Sequence, residues 1–139
     1  MVTDSGVTGG CHCGAVRFEV TVPLRGFMYC HCHSCRRIHG TVHGSSALVA
    51  REGFQVVAGA DSVSEYESSP GKKRCFCCRC GSHVYAVVDG HPDVFLRLGT
   101  LDGDPGVRAE AHIWVNDKAP WYEINDELPR FPEGPDRRG

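Results

Sequence analysis

The sequence predicts one mainly β domain of antiparallel strands with a single short helix. Three observations carry this. Apolar and polar residues alternate with period two in short runs, clusters of Gly, Asp and Pro interrupt those runs, and nine cysteines fall into three tight groups. A chain of 139 residues suits one domain and can bury a real core. The 17 glycines and 8 prolines favour turns over long helices.

The clearest strand comes first. Val16, Phe18, Val20 and Val22 alternate with Arg17, Glu19 and Thr21, and Pro23 ends the run. Further β-rich runs lie at 47–50, 54–57, 63–66, 84–88, 94–98 and 112–115. Gly53, Gly59-Ala60-Asp61, Ser69-Pro70-Gly71, Asp89-Gly90-His91-Pro92 and Asp102-Gly103-Asp104-Pro105 supply the turns. The one helical candidate is 34–39, with Ser34 as its cap and Gly40 as its stop. Residues 9–131 read as the domain, 1–8 as an N-terminal extension and 132–139 as an exposed tail. The whole stretch from 129 on is rich in Pro and Gly and has no apolar period.

Composition narrows the function. Fifteen Lys and Arg against 17 Asp and Glu leave a formal charge of −2, with no basic face to attract a phosphate backbone, so no nucleic-acid partner is expected. No apolar run is long enough for a membrane span, and no basic-then-apolar leader opens the chain. A reducing, cytoplasmic setting is therefore expected, where clustered cysteines hold metal more often than they pair. Nine, being odd, also argues against a closed set of internal disulfides. The dinucleotide-binding, phosphate-loop and serine-hydrolase signatures are all absent from the sequence.

The cysteine groups are Cys11-His12-Cys13-Gly14, Cys30-His31-Cys32-His33-Ser34-Cys35, and Cys75-Phe76-Cys77-Cys78-Arg79-Cys80-Gly81. The third offers two overlapping C-x-x-C registers. Cys77/Cys80 is preferred because Gly81 follows, and a glycine there can take positive φ and turn backbone N–H groups toward the sulfurs, as Gly14 can after Cys13. Cys11, Cys13, Cys77 and Cys80 then make a closed four-thiolate set suited to a structural zinc. Cys30, Cys32 and Cys35 offer three ligands and an open corner, the pattern of a catalytic zinc. The competing reading closes that corner with one of the nearby histidines, His12, His31, His33, His39 or His43, and makes the second site structural too. Cys75 and Cys78 are left over and read as ordinary buried cysteines.

Three motifs in order carry a family resemblance: Gly9-Gly10-Cys11-His12-Cys13-Gly14-Ala15-Val16, Cys30-His31-Cys32-His33-Ser34-Cys35-Arg36-Arg37, and Phe76-Cys77-Cys78-Arg79-Cys80-Gly81-Ser82. Leu98-Gly99-Thr100-Leu101-Asp102, His112-Ile113-Trp114-Val115 and Lys118-Ala119-Pro120-Trp121 fit as well. Over residues 9–131 the chain resembles the glutathione-dependent formaldehyde-activating enzyme family, which includes the centromere protein V relatives. The resemblance implies a β-tent fold of antiparallel sheets around a structural zinc on Cys11, Cys13, Cys77 and Cys80, and a second, catalytic zinc on Cys30, Cys32 and Cys35. It also implies carbon–sulfur lyase chemistry that joins formaldehyde to glutathione or reverses that step. On this reading His31 or His33 would move the proton, and Arg36, Arg37 and Arg74 are candidates to bind the carboxylates of a small thiol such as glutathione. The alternative is a non-catalytic zinc module that docks a protein partner by strand addition.

Overall fold

The computed structural model describes residues 6–134. They form two units. One comprises residues up to Arg25 together with Ala47–Val107, the other Gly26–Ser46 together with residues from Arg108 on.

In the first unit β1 (Val7–Gly10) and β5 (Phe54–Ala58) flank β2 (Arg17–Val20), all antiparallel. The alternation expected in β2 is present: Phe18 and Val20 are buried and Glu19 is exposed. The strand is shorter than the apolar pattern, and its register with β5 shifts between Arg17 and Phe18. A second sheet takes β4 (Gly44–Ala50), β9 (Asp93–Arg97), β8 (His83–Val88), β7 (Lys72–Cys77) and β6 (Val63–Ser69) in that spatial order, with β6 to β9 forming an antiparallel meander. Apolar side chains fill this unit: Val16, Phe18, Val20, Leu24, Ala47, Val49, Val84, Ala86, Val94 and Leu96 are all buried. Phe18 packs on Phe54 at 5.4 Å between ring centroids, and Phe54 on Tyr85 at 4.8 Å.

Strand β7 escaped the periodicity because it opens on Lys72-Lys73-Arg74 and ends in cysteines. Its geometry also corrects the expectation for Arg74. That side chain is only 3% exposed, and its Nε–H donates to Ser68 Oγ at 2.8 Å. It is a buried residue of the first unit and is not offered to a ligand in solvent.

The second unit contains β3 (Arg25–Cys30), the helix α1 (His33–His39) and β10 (Ala111–Ile113), with β10 beside β3. Strand β10 runs parallel to β3, Ala111 facing Met28 and Ile113 facing Cys30. This departs from the antiparallel expectation. The two strands are some 80 residues apart in sequence, so no hairpin fixes their direction. Helix α1 begins one residue earlier than predicted. Its N-cap is Cys32, whose Sγ accepts from the Cys35 N–H, rather than Ser34; Gly40 closes it at φ 61° as expected. Among the described residues α1 is the single α-helix, and no helix is long and apolar enough to cross a membrane.

Strand β10 stops at Ile113 because Trp114 turns left-handed, with φ 58°, into a 3₁₀ turn over Val115–Asp117. Residues 129–134, read from sequence as part of an exposed extension, are instead paired through their backbone. His112 N–H donates to Pro129 O, Phe131 N–H to His112 O, and Trp114 N–H to Glu133 O. Pro132 and Glu133 stay exposed, so the pairing left no apolar period to read. Positions 135–139 of the predicted tail, and 1–5 of the predicted N-terminal extension, lie outside the described residues.

The apolar packing around Phe18 predicts a graded response. Phe18→Ala should lower stability by about 3–5 kcal/mol. Val57→Thr, at a β5 position that is 46% exposed, should change it by less than about 0.5 kcal/mol. Urea titration of both variants checks the contrast.

Candidate metal centres

The first cysteine group is assembled from two turns of the first unit. Cys11 follows β1, and the turn after it closes with Gly14 N–H on Cys11 O at 3.2 Å. Cys77 ends β7, and its turn closes with Gly81 N–H on Cys77 O at 2.7 Å. Gly14 and Gly81 sit at φ 83° and 84°, the left-handed conformation expected of both. Those turns aim amides at sulfur: Val16 N–H donates to Cys11 Sγ at 3.2 Å, and Arg79 N–H to Cys77 Sγ at 3.4 Å. Ser82 adds its hydroxyl to Cys80 Sγ at 3.2 Å. That hydroxyl, followed by backbone donors, pulls the Cys80 thiol down to about 5.

The spacing of the sulfurs tests whether these residues fit a metal. The sulfurs of Cys11, Cys13, Cys77 and Cys80 all lie within 4.8 Å of one another. Cys11–Cys13 is 3.7 Å and Cys13–Cys77 is 3.9 Å. A tetrahedron with metal–sulfur bonds of about 2.3 Å has an edge of about 3.8 Å. A disulfide would need about 2.05 Å, and all nine cysteines are free. The geometry matches a four-coordinate ion on all four thiols, with one pair from each turn.

The second group lies in the second unit and needs six residues. Cys30 ends β3, Cys32 caps α1, and Cys35 is in its first turn, with its N–H on Cys32 Sγ at 3.3 Å. The three sulfurs also lie within 4.8 Å of one another. Cys35 is buried, while Cys30 and Cys32 are part-exposed. Gly44 packs beside the group: a Cβ built on it would sit 3.5 Å from Cys35 Sγ, in ordinary contact. Asp117 braces the helix: its carboxylate accepts from His33 N–H at 3.4 Å and its carbonyl from Arg36 Nε at 3.0 Å. Neighbouring Cys32 and Cys35, then burial, push the Cys30 thiol far up. Three adjacent thiols resist ionising together unless a cation shares the space, so this donor set too suits a metal ion.

Each of the two groups could thus hold a metal ion. Among the described residues no His, Asp or Glu atom joins either one. His31 and His43 instead join an aromatic cluster with His112, Tyr29 and Tyr122, of which His31 and His112 are buried and the others half-buried. His31 is fully buried; its Nε2 lies 2.8 Å from His112 Nδ1, and its pKa falls to about 4 through desolvation and then the neighbouring His43 and His112. Of the two alternative proton carriers, His31 or His33, His31 is thus buried and only His33 is exposed. Arg37 is exposed and Arg36 is partly committed to Asp117. Of the two leftover cysteines, Cys75 is buried as expected. Cys78 is exposed, because the turn that closes on Cys77 faces it outward. His112 was missed as a site residue, although a histidine between Ala111 and Ile113 on a buried strand was a signal.

Residues 6–117 match the family model described as glutathione-dependent formaldehyde-activating enzyme. A Halomonas elongata protein, provisionally named a glutathione-dependent formaldehyde-activating enzyme, is 33% identical over 125 residues, covering 84% of this chain and 79% of its own. A crystal structure of a Rhodobacter sphaeroides protein superposes with a TM-score of 0.59 at 29% identity, covering 70% of this chain and 89% of its own.

Removal of one thiol from the four-sulfur group should unfold more than it disarms. Cys77→Ser is expected to lose one bound metal equivalent and to lower the thermal midpoint by roughly 10 °C or more, since metal binding there is folding energy. Metal analysis by mass spectrometry and calorimetry with and without chelator would read both. A variant that retains the ion and the wild-type midpoint would refute the four-thiol assignment.

Proposed function

The chain belongs to the glutathione-dependent formaldehyde-activating enzyme family, and from that premise we propose that it is a zinc-dependent carbon–sulfur lyase acting on an adduct between a glutathione-type thiol and an aldehyde such as formaldehyde. The observation that supports this reading is the three-sulfur group of Cys30, Cys32 and Cys35, which no further ligand residue closes among the described residues. A histidine in that shell would have favoured a purely structural site. The four-sulfur group is read as a structural zinc site.

The reaction joins the thiol sulfur to the carbonyl carbon, opens the carbonyl π bond, and moves the thiol proton to the new hydroxyl; the reverse cleaves the carbon–sulfur bond. A zinc ion in the open shell would supply the acidity that makes a substrate thiol available as thiolate near neutral pH. Cys30, Cys32 and Cys35 would hold such an ion through three thiolates and leave one side to substrate. His33, exposed at the start of α1 and one residue from Cys32, is placed to exchange the proton with the adduct oxygen. Arg37, exposed on the same helix, and the part of Arg36 not engaged by Asp117 are placed to bind substrate carboxylates.

Cys32→Ser should lose one of two zinc equivalents and turnover of formaldehyde plus glutathione, while the second equivalent stays bound. Full activity with both zinc ions retained would sink the open-site reading. Arg37→Ala should raise KM for glutathione roughly tenfold or more with kcat little changed, as expected for loss of a charge-assisted contact to substrate.

A further inference from the structure

The second unit buries little apolar bulk. Its two largest fully buried side chains are His31 and His112, and the buried apolar residues beside them are Cys35, Ala111 and Ala119. The two imidazoles form a chain that reaches solvent at a carboxylate. His31 Nε2 lies 2.8 Å from His112 Nδ1, and His112 Nε2 lies 3.0 and 3.2 Å from the two oxygens of Asp126. The Asp126 side chain is 44% exposed and His112 is 1% exposed. Asp126 Oδ1 also accepts from the Leu128 N–H at 3.0 Å.

The order of donors along this chain follows from simple counting. A carboxylate only accepts, so His112 Nε2 carries a hydrogen. One hydrogen lies between His112 Nδ1 and His31 Nε2. If His112 supplied it, His112 would be a buried cation and His31 would carry its hydrogen on Nδ1. Nδ1 of His31 is buried and has no partner, so a donor would be orphaned there, in addition to the cost of the buried charge. The lower-energy order is Nε2–H on both rings, with each hydrogen pointing outward toward Asp126. Asp126 therefore sets the tautomer of two buried histidines in series.

His31 is the residue between Cys30 and Cys32, and its own N–H is fixed to Ile113 O on β10 at 2.9 Å. Its ring and its backbone are thus both tied to the 112–113 segment, while its two neighbours in sequence supply two of the three thiols. We propose that Asp126 and His112 are positioning residues for the Cys30–Cys35 thiol group, locking the buried His31 ring in one tautomer and orientation and so fixing the peptide that carries Cys30 and Cys32. This role rests on the reading of that group as a metal site.

Asp126→Asn separates polarity from packing. The Leu128 N–H holds the acceptor oxygen of the new amide on its own side, which turns the NH2 toward His112 Nε2. The NH2, at the Oδ2 position 3.0 Å from His112 Nε2 against 3.2 Å for the oxygen, favours His112 accepting at Nε2 and donating from Nδ1, with His31 accepting at Nε2 and carrying its hydrogen on Nδ1. The chain is reversed with almost no change in volume. Two measurements on the full chain test the proposal. Long-range ¹H–¹⁵N spectra should show Nε2–H tautomers of His31 and His112 in the wild type and Nδ1–H tautomers in the variant. Cobalt(II) loading followed by chelator competition should show two release steps in the wild type. In Asp126→Asn the weaker step should loosen by about tenfold or more, with a shifted thiolate–cobalt spectrum, while the tighter step and the thermal midpoint stay close to wild type. An Nδ1–H tautomer of His112 in the wild type overturns the proposal. Nε2–H tautomers retained in the variant would overturn it too. So does a reversed chain in the variant with both release steps unchanged. A single release step in the wild type itself identifies a different failure, that of the second site as a metal centre.

Discussion

The mutual repulsion of crowded thiolates is the constraint from which the rest of this molecule follows. Seven of its nine cysteines lie in two groups whose sulfurs are within 4.8 Å of one another. Ionised, they oppose each other at a distance where charge–charge energies are large unless water or a cation intervenes. The shift of the Cys30 thiol, driven up first by its two sulfur neighbours and then by burial, is this repulsion in local form. Backbone amides soften it: Val16 and Arg79 donate to sulfur in the first group, and Cys35 does so in the second. An amide carries only a partial charge, so the compact arrangement is suited to a multivalent cation held in common by the sulfurs.

Much of this was legible in the sequence because cysteine spacing and turn glycines act locally. The choice of Cys77/Cys80 over Cys75/Cys78 rested on Gly81, and the left-handed Gly81 and Gly14 close on the carbonyls of Cys77 and Cys11 the turns beside which Arg79 and Val16 donate to sulfur. The alternation of β2 and the stop at Gly40 were legible for the same reason. Strands β3 and β7 were not, since glycine, basic residues and cysteines replace their apolar alternation. The parallel pairing of β10 with β3 and the backbone pairing of 129–134 are long-range or main-chain events that leave no side-chain period. The burial of Arg74 and His31 was hidden as well, because residue type argues for exposure and only the tertiary fold supplies their partners.

The two units solve the problem of burial differently. The first encloses branched and aromatic side chains around Phe18, Val49 and Leu96, so apolar packing supports the turns that present its four sulfurs. The second has imidazoles at its centre. A buried polar network is stabilising only where its members are satisfied, and the His31–His112–Asp126 chain meets that condition at every link except the terminal Nδ1 of His31. Such a network is directional in a way that packing is not. Leucine and phenylalanine in those places could fill the volume, but could not set which ring nitrogen carries a hydrogen.

This difference bears on why a three-sulfur group that could hold a metal ion belongs with the polar core. A closed four-sulfur shell is held by its own ligands, two from each turn, and tolerates an apolar setting. A three-sulfur shell has a missing corner, so its ligands lack the fourth constraint that would define their geometry. Here the restraint comes from the protein: Cys32 is fixed as the cap of α1, Cys35 by the helix itself, and the peptide between Cys30 and Cys32 by the ring and backbone bonds of His31. Asp117 adds a brace at the start of the same helix. On the proposed reading, three sulfurs would leave a coordination position to a substrate without losing their arrangement only if something other than a fourth ligand held them, and the hydrogen-bonded frame of the second unit is suited to that task.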